Sequence, residues 1–395
     1  MAATHPEIMA GFERLLPGWR AERAATLAGG EQTVVQRLTV RDDHERQTTV
    51  IGKLFTGSAE GYVRESAALA SLPPGLPAPR LLAAQARPPL LLLNDIGTGP
   101  SVADALLGDD PAAATRAVAD WAAAIGTLHA ATLGDPEAFS AELRRRADGD
   151  GDGTQVSVDY TPGLLLDTVA SLDSRASLTG LSVPNGLRDE LAELLARLTD
   201  PGQSALSPAD ACPDNNVRDD SGALTLVDFE GAAFRHVAWD VAYLTVPWPS
   251  CWCCWRLPAD VAGEAVDRYR DIVRPVLPWA DSAGFRQAVD RAAVGWAVIT
   301  TSWFLGRAIA GDPPMTEGDA APRRRAFLLH RLELAIPRAE ADGLPVTAAT
   351  LSEWHATLTS RWGPMPLALA PAFRREMFSE QDRPRGCSRV PRWFS

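Results

Sequence analysis

The chain has 395 residues, 46% hydrophobic and 22% charged, an ordinary globular composition with length for two or three domains or one large bilobal one. A net charge of -12 argues against broad nucleic-acid binding, which calls for a basic face. No uninterrupted apolar run stands out as long enough to cross a bilayer, and the start M-A-A-T-H-P-E-I-M lacks the basic-then-apolar layout of a secretory signal, so no membrane partner and a cytoplasmic location are expected.

From the N-terminus, residues 1–18 read as a helix carrying Phe12, Leu15 and Leu16. Three strand-like runs follow, at 21–27, 33–40 and 47–55, joined by the turns Gly29-Gly30-Glu31-Gln32 and Arg41-Asp42-Asp43-His44. The third run holds Lys53, the only lysine among 38 basic residues. Against so strong an arginine bias, a retained ammonium points to a site that needs a compact point charge and not a planar fork. Alternation along a strand puts Lys53 on the same face as Ile51. Residues 62–72 have helical spacing and include Glu65, and Pro73-Pro74-Gly75 ends that helix. Residues 79–82 and 90–93 read as two more strands, followed by the connector Asn94-Asp95-Ile96-Gly97-Thr98-Gly99.

Beyond Ser101 the pattern is mainly helical. The 111–133 segment is apolar around most of its surface and reads as a buried helix, with His129 a packing residue near its end. Asp148, Asp150, Asp152 and Asp159 fall at calcium-loop spacing, but Gln155 and Pro162 break the pattern, and an acidic loop is the preferred reading. Further helices are expected at 187–198, 259–276, 282–309, 323–336 and 348–361, the fourth of these stopping at Pro337. Five cysteines (Cys212, Cys251, Cys253, Cys254 and Cys387) are an odd number in a large chain, so free thiols are expected and not a disulfide framework. Within C-W-C-C no second cysteine pair or histidine stands at a zinc-like distance.

The most informative stretch is 207–230, S-P-A-D-A-C-P-D-N-N-V, a polar turn, then L-T-L-V-D-F-E. The apolar run at 224–227 reads as a strand and residues 219–222 as a tight turn, so a hairpin returns Asp228 to the side of Asn215, with Asp210 close by. Two carboxylates and an amide oxygen around one point form a hard-oxygen set suited to Mg²⁺.

An Asp, an Asn five residues later, an apolar strand ending in D-F-E, and Asp240 twelve residues after Asp228 resemble the aminoglycoside phosphotransferase and choline kinase branch of the protein-kinase-like fold. The resemblance covers about residues 20–365. It implies an α+β bilobal protein, with a small antiparallel-sheet N-lobe (1–95) and a large mainly helical C-lobe (96–370); the Arg-rich tail (371–395) lies beyond it, lacks a helical apolar pattern and is expected to be loosely ordered. It implies ATP and Mg²⁺ as cofactors, and γ-phosphoryl transfer to the hydroxyl of a small-molecule acceptor. Asp210 becomes the catalytic base, and Asn215 and Asp228 the metal ligands. Lys53, partnered by Glu65, takes the α and β phosphates; Gly29 and Gly30 cover the phosphates; Asn94 and Ile96 meet the adenine through backbone groups. Asp240 is structural, holding the catalytic loop through backbone N–H groups. In the family, helices after Asp240 line the acceptor pocket, with Glu230, Asp260, Glu264 and Asp267 as polar candidates. Pro208 replaces the family's usual histidine two residues before the base, which keeps a nucleotide-binding pseudokinase as the alternative.

Overall fold

The structure, a computed structural model, describes residues 5–29, 32–150, 156–249, 251–315 and 321–374. Helix α1 (Pro6–Leu15) precedes strands β1 (Trp19–Gly29), β2 (Thr33–Asp42) and β3 (Gln47–Phe55); helix α2 (Ala59–Ser71) and strands β4 (Leu81–Ala86) and β5 (Pro89–Asn94) follow. The five strands form one antiparallel sheet in the order β1-β2-β3-β5-β4. Its two faces are used differently. On one, Val50 and Leu54 pack with Leu38, Val40, Leu90 and Leu92 beneath Ile8 and Phe12 of α1. Gly52 allows that approach, since a Cβ there would stand 2.7 Å from the Ile8 side chain. The opposite face carries Ile51 and Lys53.

The second part begins with α3 (Val102–Leu107), α4 (Pro111–Thr132), α5 (Glu137–Asp150), α6 (Thr161–Ser174), α7 (Ala176–Thr179) and α8 (Leu187–Ala196). Two small antiparallel pairs come next: β6 (Ser204–Ser207) with β9 (Ala233–His236), and between them β7 (Asn216–Arg218) with β8 (Leu224–Leu226). Helices α9 (Ala238–Thr245), α10 (Ala259–Val273), α11 (Ala283–Ala310), α12 (Arg324–Ala341) and α13 (Pro345–Trp362) complete it. The α+β, two-lobed architecture is the one expected from the sequence. By length and composition α11 is apolar enough to cross a membrane, which the sequence reading passed over; 72% of its apolar window is buried inside the fold.

Several local expectations are corrected. Helix α12 runs through Pro337. That residue is exposed, while Ala335 and Ala339 on either side are buried. Packing of α12 against α13 therefore outweighs the roughly 3 kcal/mol cost of an interior proline. Pro162 opens α6 at its first turn, where a missing N–H costs nothing. Asp148 and Asp150 end α5, and 151–155 lie outside the described residues, as does the tail from 375. Cys251 and Cys253 are joined by a disulfide, with Cα atoms 5.2 Å apart, where free thiols were expected. A single intervening residue, Trp252, leaves the pair within bridging range. Trp248 and Trp255 are buried core residues.

His236, the last residue of β9, is buried. Its Nε2 meets Gln203 Oε1 at 3.0 Å and its Nδ1 accepts from the Ala238 N–H at 3.2 Å, an arrangement that requires the neutral ring. Burial lowers its pKa to about 4. The unfolded chain, with an ordinary histidine near 6.5, takes up the proton first as pH falls. Stability is thus full above pH 6.5 and is lost progressively down to about pH 4. Denaturant titrations should show this group removing roughly 2 kcal/mol between pH 7 and pH 5. His236→Gln should flatten the slope; an unchanged slope would assign the acid sensitivity elsewhere.

Candidate active site

Lys53 sits mid-strand, paired in register with Val35 and Leu91, and only 6% exposed. Its Nζ donates to Glu65 Oε2 at 2.6 Å and to Asp228 Oδ1 at 2.6 Å, with Glu230 Oε2 at 3.5 Å. One ammonium thus ties the sheet, helix α2 and the segment after β8 together. Burial works against its charge, but the Asp228, Glu65 and Glu230 carboxylates outweigh it and raise its pKa above the ordinary lysine value. Glu65, 1% exposed, is pushed upward by burial and pulled back by Lys53. Glu65, Asp228 and Glu230 offer oxygens within 4.8 Å of one another.

The hairpin expected around 216–226 is present. Asn216 pairs with Leu226, and the Val227 N–H donates to the Asn215 carbonyl at 2.9 Å. Asn215 and Asp228 are therefore neighbours across its open end. Asn215 Nδ2 donates to the Asp210 carbonyl at 2.9 Å, so the Oδ1 end of the amide is directed away from that contact. The donor set fits a hard divalent cation: an amide oxygen and a carboxylate, with Glu65 and Glu230 as further oxygens nearby.

Ala209 and Asp228, one at each end of this arrangement, have φ values of 63° and 67°. Such backbone costs about 1–3 kcal/mol for a non-glycine residue and persists only where its surroundings over-determine it. At Ala209 the surroundings are explicit. Its carbonyl accepts from Arg235 at 3.1 Å and from the Tyr243 hydroxyl at 3.0 Å. The next residues are held by Trp121, whose Nε1 donates to the Ala211 carbonyl at 2.8 Å. Arg235 is in turn paired with Asp240, which also meets His129 Nε2 at 3.0 Å. Burial would raise Asp240, but Arg235 and His129 more than offset it and hold it ionised below the ordinary carboxylate range. The structural part expected of Asp240 is thus played through the Arg235 guanidinium and the His129 ring. His129 also meets the Tyr269 hydroxyl at 2.9 Å, a bonding role more specific than packing.

The cleft between the sheet and the helical part encloses about 340 Å³. Val35, Ile51, Leu93, Val217 and Val227 make apolar walls suited to a flat ring, and Asn94 and Ile96 line the connector side. That connector is clamped: Arg37 forms a bidentate pair with Asp95 at 2.6 and 2.8 Å and donates to the Gly97 carbonyl at 2.6 Å. Gly29 ends β1 opposite Val34, and Gly30 lies outside the described residues. A second cavity of about 670 Å³ shares Gln32 and Glu230 with the cleft. It is lined by Glu60, Asp159, Tyr160 and Asp167. The carboxylates of α10 line neither; Asp267 pairs with Arg270 at 2.8 Å instead. Among the residues that sequence reasoning missed, Arg235 and the Arg37–Asp95 clamp carry no local signal. Glu230 was visible as the last letter of D-F-E, but its contact with Lys53 was not read.

A family model described as "Phosphotransferase enzyme family" matches residues 25–278. No curated protein matches the chain. Among solved structures, an ethanolamine kinase from Plasmodium vivax is 12% identical with a TM-score of 0.51, covering 83% of this chain and 83% of its own. A choline kinase from Cryptosporidium parvum Iowa II is 12% identical with a TM-score of 0.50, covering 88% of this chain and 99% of its own. A macrolide 2'-phosphotransferase from Brachybacterium faecium is 17% identical with a TM-score of 0.48, covering 77% and 92%.

Proposed function

We propose, for a chain that belongs to the phosphotransferase enzyme family, that it transfers the γ-phosphoryl group of ATP to a hydroxyl of a small-molecule acceptor. The observation that carries this reading is the position of Lys53, bonded at once to Glu65 of α2 and to Asp228 beside Asn215. A structural salt bridge needs one partner, whereas a cation shared by three carboxylates at a cleft is suited to organising a polyanion.

In this reading Asn215 and Asp228 hold Mg²⁺, which when bound would offset the charge on the phosphates. Lys53, oriented by Glu65, receives the α and β phosphates, and the apolar walls with Asn94 and Ile96 receive the base. Gly29 and Gly30, at the β1–β2 turn, are assigned to the phosphate side. Asp210 accepts a hydrogen bond from the acceptor hydroxyl and takes its proton as the bond to phosphorus forms. Because the transition state is loose, orientation and charge dominate over the strength of the base. The strained, pinned loop from Ala209 to Asn215 supplies that orientation. The second cavity is the acceptor side; Glu60 there is already paired with Arg64 at 2.7 Å, and the carboxylates of Asp159, Asp167 and Glu230 favour an acceptor carrying positive charge.

The test is a mass-shift screen of hydroxyl compounds with ATP and Mg²⁺. At least one acceptor, drawn from the cationic members, should gain a single phosphoryl group in a divalent-dependent manner. Nucleotide binding with no phosphorylated product across the panel would favour the pseudokinase reading.

A further inference from the structure

Around Asp214, which also lines the cleft, three cysteines gather about one carboxylate. Cys212 Sγ, Cys251 Sγ and an Asp214 oxygen lie within 4.8 Å of one another. All three residues are buried, the cysteines completely. Cys253 Sγ, bonded to Cys251, stands 4.0 Å from the same Asp214 Oδ1 that lies 3.3 Å from Cys251 Sγ. The other oxygen, Oδ2, is fixed by the Trp252 indole N–H at 2.7 Å. A carboxylate aimed by one oxygen at sulfur and held by the other is the arrangement of a metal-ligating carboxylate with its outer-shell donor.

We propose that, with the Cys251–Cys253 bond reduced, Cys212, Cys251, Cys253 and Asp214 form a buried site for a thiophilic divalent cation such as Zn²⁺. Sulfur-rich donors select zinc and exclude magnesium, so this site is chemically separate from the oxygen cluster at Asp228 and independent of the phosphotransfer reading. Four donors from Cys, Cys, Cys and Asp match a closed, tetrahedral structural site. The local sequence concealed it because half of the donors come from the loop before β7 and half from the loop after α9.

A second observation supports it. Arg331, 2% exposed, has no hydrogen-bond partner on any of its three side-chain nitrogens among the described residues. It lies within electrostatic reach of Cys212 and Cys254. The Trp248 indole N–H is likewise buried with no hydrogen-bond partner among the described residues. The Arg331 guanidinium lies over the Phe327 ring, 4.7 Å from the ring centre, but a buried guanidinium without hydrogen bonds is costly, and an aromatic face compensates it only in part. A metal centre ligated by three thiolates and a carboxylate carries net negative charge, and would supply what Arg331 lacks. A bare disulfide accounts for neither Arg331 nor the convergence of Cys212 and Asp214. The bound ion would fasten the Cys212–Asn215 loop, where the Asn215 N–H already donates to the Cys212 carbonyl at 3.0 Å, to the tryptophan-rich segment.

The chemistry balances with a trialkylphosphine as reductant. The phosphine takes oxygen from water, the two protons of water end on Cys251 and Cys253, and cation binding then releases up to three thiol protons. The experiment uses full-length protein reduced in this way under anaerobic conditions and titrated with Co²⁺. Wild type should develop a thiolate-to-cobalt charge-transfer band that saturates at one equivalent and is abolished by one equivalent of Zn²⁺. The band should persist in Asp228→Asn and Cys254→Ala and be lost in Cys212→Ser and Cys251→Ser. Absence of the band in reduced, folded wild type overturns the proposal, whatever the variants do. So does a band undiminished in both serine variants.

Discussion

Asp210→Asn should retain nucleotide binding and lose about 10²–10⁴-fold in turnover, the span associated with removing a positioned general base. Asparagine keeps the shape and the hydrogen-bonding reach of the side chain but cannot take the proton of an acceptor hydroxyl. The backbone around it should be undisturbed. The Asp210 carbonyl still receives Asn215 Nδ2, and the preceding Ala209 carbonyl remains held by Arg235 and Tyr243. Single-turnover measurements at saturating nucleotide isolate the chemical step. Wild-type turnover in this variant would remove Asp210 from the mechanism, and a parallel loss of nucleotide affinity would mean that the loop had moved.

Lys53→Ala should lower kcat/KM by about 10²–10³-fold, the usual scale for losing one preorganised charge contact in a closed site. The loss has two sources. The phosphates lose their cation, and Glu65, Asp228 and Glu230, whose oxygens lie within 4.8 Å of one another, lose the charge that lets them coexist. Lys53→Arg should rescue little. The ammonium bridges two carboxylates at 2.6 Å each from a site that is 6% exposed, and a planar guanidinium is too broad for that position. Activity of the arginine variant within a few-fold of wild type would show that any cation suffices there. A thermal melt of the alanine variant separates lost chemistry from lost folding.

Much of the cleft was legible because its parts are short-range. The β7–β8 hairpin follows from a polar turn and three apolar residues, and it fixes the distance between Asn215 and Asp228 by itself. Lys53 was conspicuous as the only lysine, and the third strand, at 47–55, matched its sequence limits. Helical spacing after that strand marked the helix that carries Glu65, while its pairing with Lys53 was implied by the family resemblance. What escaped notice depends on long-range pairing. Strands β6 and β9 are four residues each and lie too far apart for any turn signal to join them. Their pairing sets Arg235 beneath Ala209, and only then does Asp240 have a role that can be named. The same holds for Arg37 with Asp95, and for Cys212 and Asp214 with the cysteines near 251. At Pro337 a local rule was read correctly and then overridden, because the far half of α12 has buried surface to pack against α13.

Calorimetric titration of the protein with ATP, in the presence and absence of Mg²⁺, tests most directly whether the two lobes converge on one metal–nucleotide complex. One site should appear, dependent on the divalent ion, with binding weakened in Asp228→Asn and in Lys53→Ala alike. No binding by folded wild type, or binding indifferent to both Mg²⁺ and these two substitutions, would contradict the account.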